Sequence, residues 1–321
     1  MKKYPSIEQF RHVIKAVQLQ HDYQGKDEQE DAIYKHINDY PILDFHGTVK
    51  LHGTNASVVK YKDRVEYQSR ENVLSLIKDN AGFCLAMSNK DLDFLFKDVE
   101  FQEYIAVYGE WCGMGIQKGV GISKCPKMFV IFGYKIDGVW VNKIIHDNLQ
   151  NIYHIEQFPT FDVKIDFNTP QLSQNKLIEL TIEVENECPV AKQLGFPNEI
   201  GEGIVFTCST NPEYKFKSKG EKHSVSKVTT LNAVDTQMLE GIVSFVDLAL
   251  QEERLLQGID HLKQENKELS EKSTGDFLRW IVNDVIKEEQ DTIIKNQFDV
   301  KKVNSSISHK ARQWYFNYLN S

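Results

Sequence analysis

The sequence predicts an α+β protein in which an antiparallel-sheet domain over residues 1–235 precedes a small all-helical domain over 240–321. Three observations predict it. Up to about residue 230, runs rich in β-branched and aromatic residues alternate with turn residues, the pattern of short strands. No regular strand–helix–strand units occur there, so a doubly wound parallel sheet is not expected. Beyond residue 230 the apolar residues recur at helical spacing.

Along the chain, "TVKL" (48–51) and "ASVVKY" (56–61) read as strands flanking a Gly53-Thr54-Asn55 turn, and "RVEYQSR" (64–70) follows a second, polar turn. "YIAVYGEW" (104–111) and "KMFVIFGYKI" (127–136) are rich in strand formers. Asp137-Gly138, between "GYKI" and "VWVN", is a two-residue hairpin signal. "EGIVFTCS" (202–209) and "EYKFKS" (213–218) read as another antiparallel pair. The stretch 234–266 is helical in composition. Phe277, Leu278, Ile281, Val282, Val285 and Ile286 then keep helical spacing, as do Ile307, Ala311, Trp314, Tyr315 and Tyr318. "ENKELSEKSTGD" (265–276) is a polar joint between helices.

The 321 residues suit about two domains. A hydrophobic content of 41% can fill cores, and 26% charged residues do not suggest global disorder. No apolar run approaches the roughly 20 residues of a membrane helix, and "MKKYPSIEQF" lacks a signal peptide's apolar stretch. Cys84, Cys112, Cys125, Cys188 and Cys208 show no C-x-x-C spacing. That favours reduced thiols in a cytoplasmic compartment and argues against structural zinc. The net charge of −8 does not fit a protein that coats duplexes nonspecifically. Charge is local, however: residues 117–127 carry three lysines and no acid, and 213–227 carry five lysines against two glutamates. Each stretch reads either as solvated surface or as a place to hold phosphates.

The candidate chemistry centres on Lys50, in "HGTVKLHGTNASVV" (46–59). A strand lysine ordinarily points to solvent, and a Lys-x-x-Gly match recurs by chance. Other motifs accompany it in order. Arg70 stands twenty residues on in "SREN", Glu110 in "VYGEWCG" and Phe132 in "FVIFGYKI". Glu202 precedes a glycine in "GEGIVF", and Lys215 and Lys217 share one side of a strand in "YKFKSK".

This ordered series resembles that of the covalent nucleotidyltransferases, the superfamily of ligases and mRNA capping enzymes. "KLHGTN", "YGEWCGMGIQKGV", the opening "KKYPSIEQF" and the closing "KARQWYFNYL" resemble the ATP-dependent RNA ligase 2 family of the phage type, over nearly the whole chain. The resemblance implies an ATP-grasp-like ligase fold for the sheet domain and a nucleic-acid-engaging role for the helical one. It implies ATP as substrate with Mg2+ or Mn2+, and a monomer without membrane attachment. The expected partner is RNA with 3′-OH and 5′-phosphate ends, above all a nicked duplex. A lysyl-AMP and then an RNA-adenylate would be the intermediates.

The resemblance also assigns roles. Lys50 would attack the α-phosphate of ATP as a neutral amine. A free lysine has a pKa of about 10.4, and cations or desolvation lower it. Lys215, Lys217 and the metal would do so and would neutralise the phosphoryl group. Phe132 would stack on adenine, unless it is a core aromatic like its neighbour Phe129. Glu110 would accept from the ribose hydroxyls, unless it is a surface ion pair. Arg70 would touch ribose or phosphate, unless it is solvated. Glu202 would bind metal or metal-bound water, suiting a hard ion that keeps most of its waters. Asn55 would hold one such water, unless it serves only the turn. His52 would assist adenylation, unless it packs. Leu51, beside the nucleophile, belongs to the nucleotide-binding set. Two departures stand out: Val49 where an acid is expected, and Phe132-Gly133 where Phe-Asp is more usual.

DNA ligases and capping guanylyltransferases usually carry a β-barrel after the last motif, and the helical tail argues against both. A non-catalytic RNA- or nucleotide-binding module is disfavoured by intact Lys50, Glu202, Lys215 and Lys217. The tail, with 11 Lys+Arg and 14 Asp+Glu over 240–321, is no generic basic clamp. Lys310 and Arg312 beside Trp314 are its candidate contacts, with Trp314 as core the alternative.

Overall fold

A computed structural model describes residues 1–27, 29–35, 39–145, 149–220, 236–265 and 267–320. The rest of the lysine-rich stretch 213–227, and the expected domain limit at residue 235, lie outside the described residues. The chain divides into two compact units, Met1–Tyr23 with Asp39–Ala233 and Gln24–Asn38 with Val234–Ser321.

The first unit starts with β1 (Glu8–Gln9) and α1 (Phe10–Asp22). The chain then runs through β2 (Tyr23–Lys26) and β3 (Ala32–Tyr34), a two-stranded ribbon largely within the second unit. It returns as β4 (Ile42–Val49), β5 (Thr54–Tyr61), β6 (Val65–Ser69), α2 (Phe83–Ser88), α3 (Asp93–Phe96) and β7 (Tyr104–Cys112). Next come β8 (Met128–Ile136), β9 (Val139–Val141), β10 (Ile152–His154) and β11 (Thr160–Asp166). α4 (Gln174–Asn186), α5 (Pro189–Gln193), β12 (Gly203–Cys208) and β13 (Lys215–Lys219) complete it.

Two sheets result. One has the order β1-β13-β12-β4-β11; the other runs β10-β8-β7-β5-β6, with β9 paired to β8. Both are antiparallel except at two edges, where β1 joins β13 and β10 joins β8 in parallel. The mixed α+β class with antiparallel sheets and a helical C-terminal region is therefore as the sequence predicts. The β8–β9 hairpin turns at Asp137-Gly138, and β12 pairs with β13.

Side-chain alternation decides what each sheet face does. On the five-stranded sheet, Phe45, Val163, Ile165, Ile204, Phe206 and Phe216 point to one face. They pack on Phe10, Val13 and Val17 of α1 and on Leu177, Leu180 and Val184 of α4. On the six-stranded sheet, Val58, Ile105, Val107, Phe129 and Ile131 bury against Phe83 and Met87 of α2 and Leu95 of α3. Each such fully buried side chain stabilises by roughly 1.5–3 kcal/mol, enough to hold both sheets by one face. The other two faces are left to line a cavity.

The second unit adds α6 (Thr236–Ala249), α7 (Glu252–Gln264), α8 (Thr274–Glu288), α9 (Gln290–Lys295) and α10 (Val300–Leu319). Ile242, Ile259, Phe277, Ile281, Val285, Val303, Ile307 and Tyr315 form its core. The Asp299 carboxylate caps α10 by accepting from the Lys301 and Lys302 N–H groups at 2.8 and 3.2 Å. Trp314 stacks between Phe277 and Tyr318 at ring separations of 6.1 and 5.1 Å, and Lys310 pairs with Asp247 at 2.6 Å. Trp314 thus packs against the core. No described helix is long and apolar enough to cross a membrane.

Candidate active site

β4 of one sheet ends at Val49 and β5 of the other begins at Thr54. Residues 50–53 therefore carry the chain from sheet to sheet, and Lys50 stands at that crossing, on a cavity of about 1010 Å³. Two local expectations need correction. Lys50 lies just past the strand and not within it, and Thr54 and Asn55 already belong to β5, with Asn55 opposite Glu110. The reason is the close approach of this crossing to β7. A Cβ on Gly53 would lie 2.3 Å from the Trp111 carbonyl oxygen and 2.7 Å from Cys112 Cβ, so only glycine fits. The Gly53 N–H donates to Glu110 Oε1 at 3.0 Å. A glycine three residues after the lysine thus seats the crossing on β7 and brings Lys50 and Glu110 to one cavity.

Glu202 is the hub. It is 2% exposed and immediately precedes β12. Gly203 after it has φ +149°, and a Cβ there would fall 2.0 Å from the Ser218 carbonyl oxygen. The Lys50 N–H donates to the Gly203 carbonyl at 2.8 Å, which fixes the Lys50 backbone beside the carboxylate. Glu202 Oε2 lies 2.7 Å from Lys50 Nζ and 3.4 Å from His52 Nδ1; Oε1 lies 2.7 Å from Lys219 Nζ. Burial pushes the Glu202 carboxyl up, but the charges and hydrogen bonds of Lys50 and Lys219 outweigh it, holding the group below the usual carboxylate range.

The cations on β13 follow its register. Lys219 pairs opposite Gly203, Lys217 opposite Val205 and Lys215 opposite Thr207, all on one face. Lys219 is thus level with Lys50, whereas Lys215 is four residues further along, roughly 13 Å at strand rise. Burial, then the charges of Lys219 and Lys50, depress Lys217. Burial lowers Lys215 to about 8, opposed only by Glu213, and its Nζ donates to the Tyr4 hydroxyl at 2.6 Å. The structure brings Lys217 and Lys219 to Lys50 and sets Lys215 apart. Lys219 is the residue sequence reasoning missed, although the same two-residue period in "YKFKSK" reaches it.

The six-stranded sheet supplies the opposite wall. Burial raises Glu110 to about 7, countered by the Lys50 charge and the Gly53 N–H. Arg70 Nη2 donates to Ser6 Oγ at 2.8 Å. Asn55 and Leu51 also line the cavity. Phe129 is fully buried against α2, whereas Phe132, three residues on and so on the opposite face of β8, lines the cavity. Gly109 pairs with Ile131 and Tyr108 with Gly133, leaving Phe132 as the extra residue. A Cβ on the glycine after it, Gly133, would lie 3.2 Å from the Trp140 ring, a tight contact that the ring would have to yield to. Val49, 3% exposed and paired with Ile204, occupies a position where a carboxylate would be desolvated.

At the cavity's far end His46 lies between Glu156 and Asp162, at 2.9 and 2.8 Å. The hydrogen bond to Glu156 leads in raising its pKa to about 9, against burial and with help from Asp162. A raised histidine stabilises fully below its ordinary value of about 6.5 and loses that contribution as pH rises through about 9. His46→Gln is therefore expected to lower Tm more at about pH 6 than at about pH 9.5. Thermal melts at both values check this, and equal losses would contradict it.

Residues 43–229 match the RNA ligase family model. No curated protein matches the chain. Among solved structures, Naegleria gruberi RNA ligase with PPi is 17% identical with a TM-score of 0.43, over 68% of this chain and 56% of that one. A lysine-to-alanine mutant of that ligase with ATP and Mn gives 16% and 0.43 over the same shares. An apo lysine mutant gives 20% and 0.44, again over 68% and 56%. The chain thus spans just over half the length of these ligases.

Proposed function

Because this chain belongs to the RNA ligase family, whose model covers residues 43–229, we propose that it is an ATP-dependent ligase joining 3′-OH and 5′-phosphate RNA ends, with nicked duplex RNA as substrate. The observation that carries the proposal is Lys50 at the crossing of the two sheets, bonded to buried Glu202 and level with Lys219. Lys50 attacks the α-phosphorus as a free amine; the N–P bond forms and the bond to pyrophosphate breaks. AMP then passes to the RNA 5′-phosphate. Attack by the 3′-OH makes the phosphodiester and releases AMP.

Each group has a task in that sequence. Lys217 and Lys219 neutralise charge gathering on the phosphoryl oxygens. Glu110 and Arg70 hold the ribose, and Phe132 offers its ring to adenine. His52, within 3.4 Å of Glu202, helps orient that carboxylate. The groups that would hold a divalent cation are the Glu202 carboxylate, 2.7 Å from Lys50 Nζ, and the Asn55 amide on the cavity wall, the sparse protein set that Mg2+ takes alongside waters and substrate phosphates. A divalent cation held there would supply positive charge to the phosphoryl group. Five buried, unpaired cysteines support a reducing, cytoplasm-like setting.

The test uses ATP labelled in the α-phosphate, with nicked RNA, RNA–DNA hybrid and DNA duplexes in parallel. Label on the protein and sealing of nicked RNA are expected. Label from GTP alone would make it a capping-type transferase, and no label would reject nucleotidyl transfer.

Glu110 separates function from structure. With its folded pKa raised to about 7 by burial, the ionised form costs stability as pH rises from the unfolded value toward 7, and the full cost is present above it. Glu110→Gln removes that cost and still accepts from the Gly53 N–H. Its Tm is expected to rise at about pH 8, while KM for ATP rises about tenfold from the lost charged acceptor. A lower Tm with unchanged KM would make Glu110 structural.

A further inference from the structure

The N-terminal segment touches both walls of the site. β1 pairs in parallel with β13, Glu8 opposite Phe216 and Gln9 opposite Lys217. Six residues earlier the chain is tied to the other sheet. The Lys2 N–H donates to Gln68 Oε1 at 2.9 Å, Lys2 Nζ sits 3.7 Å over the Tyr104 ring, and Lys3 pairs with Glu71. Between these anchors, Tyr4 and Ser6 line the cavity.

Their partners are cations from opposite sheets. The Tyr4 hydroxyl accepts from Lys215 Nζ at 2.6 Å, and Ser6 Oγ accepts from Arg70 Nη2 at 2.8 Å. The Tyr4 ring is fixed by Phe132 at 4.9 Å, Tyr108 at 5.4 Å and Trp140 at 5.5 Å. Burial pushes its phenol above the usual range, so the hydroxyl stays neutral and its oxygen remains an acceptor. Lys215 also lies over the Tyr4 and Trp140 rings, at 5.1 and 5.7 Å. A strap needed only for folding would not require its two inward polar groups to end on the cations of the cavity.

We infer that residues 2–9 form a positioning strap for the nucleotide, in which Tyr4 sets Lys215 and Ser6 sets Arg70 on the two facing sheets. The inference rests on the reading of Lys50 as the nucleophile. Tyr4 and Ser6 are positioning residues: they act on nucleotide through the cations they hold, so their removal weakens capture of ATP more than bond making.

The test is Lys50–AMP formation by full-length Tyr4→Phe and Ser6→Ala, each alone and combined with Lys215→Met or Arg70→Ala, with Tm measured in parallel. Each single change removes one hydrogen bond to a charged group. KM for ATP is expected to rise about tenfold, with kcat within about twofold and Tm unmoved. Tyr4→Phe should add nothing to Lys215→Met, and Ser6→Ala nothing to Arg70→Ala, because each acts through its partner. Unchanged KM, a loss confined to kcat, additive effects in the doubles, or a fall in Tm that accounts for the loss would each overturn the strap while leaving the nucleophile in place. No adduct in the unaltered chain would overturn both readings.

Discussion

A Lys50→Ala variant is expected to form no covalent nucleotide adduct and to seal no 5′-phosphorylated RNA, yet to join a strand supplied already adenylated. The first half follows from chemistry. Lys50 is the lysine at the sheet crossing, bonded at 2.7 Å to Glu202. Lys219 shares that carboxylate and is the nearest substitute. It stands on β13, across β12 from Lys50, and a nucleophile displaced by even an ångström loses much of its rate. The second half follows because the final step makes no use of the lysine adduct. The fold should persist: Lys50 is partly exposed, and Glu202 keeps Lys219 as counter-charge. Labelling from ATP and ligation of both RNA forms measure the two halves. Label on the alanine variant would remove Lys50 from the reaction.

The β13 lysines should divide by position. Lys217→Met and Lys219→Met are expected to lower kcat for adduct formation by about 10²–10³, the usual effect of removing one preorganised donor from a developing charge. Lys215→Met should act mainly on KM, by about tenfold. Lys217→Arg should also lose most adenylation with the fold intact, since a planar guanidinium does not replace a compact ammonium beside Lys219 and Lys50. The order matters because "YKFKSK" contains two overlapping Lys-x-Lys pairs. The register places the second pair, opposite Val205 and Gly203, at Lys50. Rate constants for the three methionine variants settle it, and a larger kcat loss for Lys215 than for Lys219 would reverse the assignment.

Much of the molecule is legible in its sequence. Strand-forming runs such as "YIAVYGEW", the Asp137-Gly138 hairpin and the apolar spacing of α8 and α10 are local signals, and local physics fixes them. Lys50, Glu110, Phe132, Glu202 and Lys217 are legible as an ordered series; all but Glu202 line the cavity, and Glu202 pairs with Lys50 behind it. What was not legible depends on pairing between distant segments. Phe129 and Phe132 lie on opposite faces of β8, and the choice between them is made by α2, which packs on the Phe129 face and leaves the other to the cavity. The end of β4 at Val49 depends on how close Gly53 comes to Trp111. The opening "KKYPSIEQF" carries part of the family resemblance, but nothing local in it signals that β1 closes the edge of a sheet or that Tyr4 reaches Lys215. At Gly133, a side chain would press on the Trp140 ring packed over it.

The central claim is that Lys50 carries AMP between ATP and RNA. Its most direct measurement is peptide mass spectrometry of the unaltered protein after incubation with ATP and Mg2+, before and after a chase with 5′-phosphorylated nicked RNA. The account predicts a mass increase of one AMP on the peptide containing Lys50, fragmenting to that side chain, and its loss during the chase as adenylated and then sealed RNA appears. An unmodified Lys50 peptide, AMP on another residue, or an adduct that the nicked RNA does not discharge would contradict it.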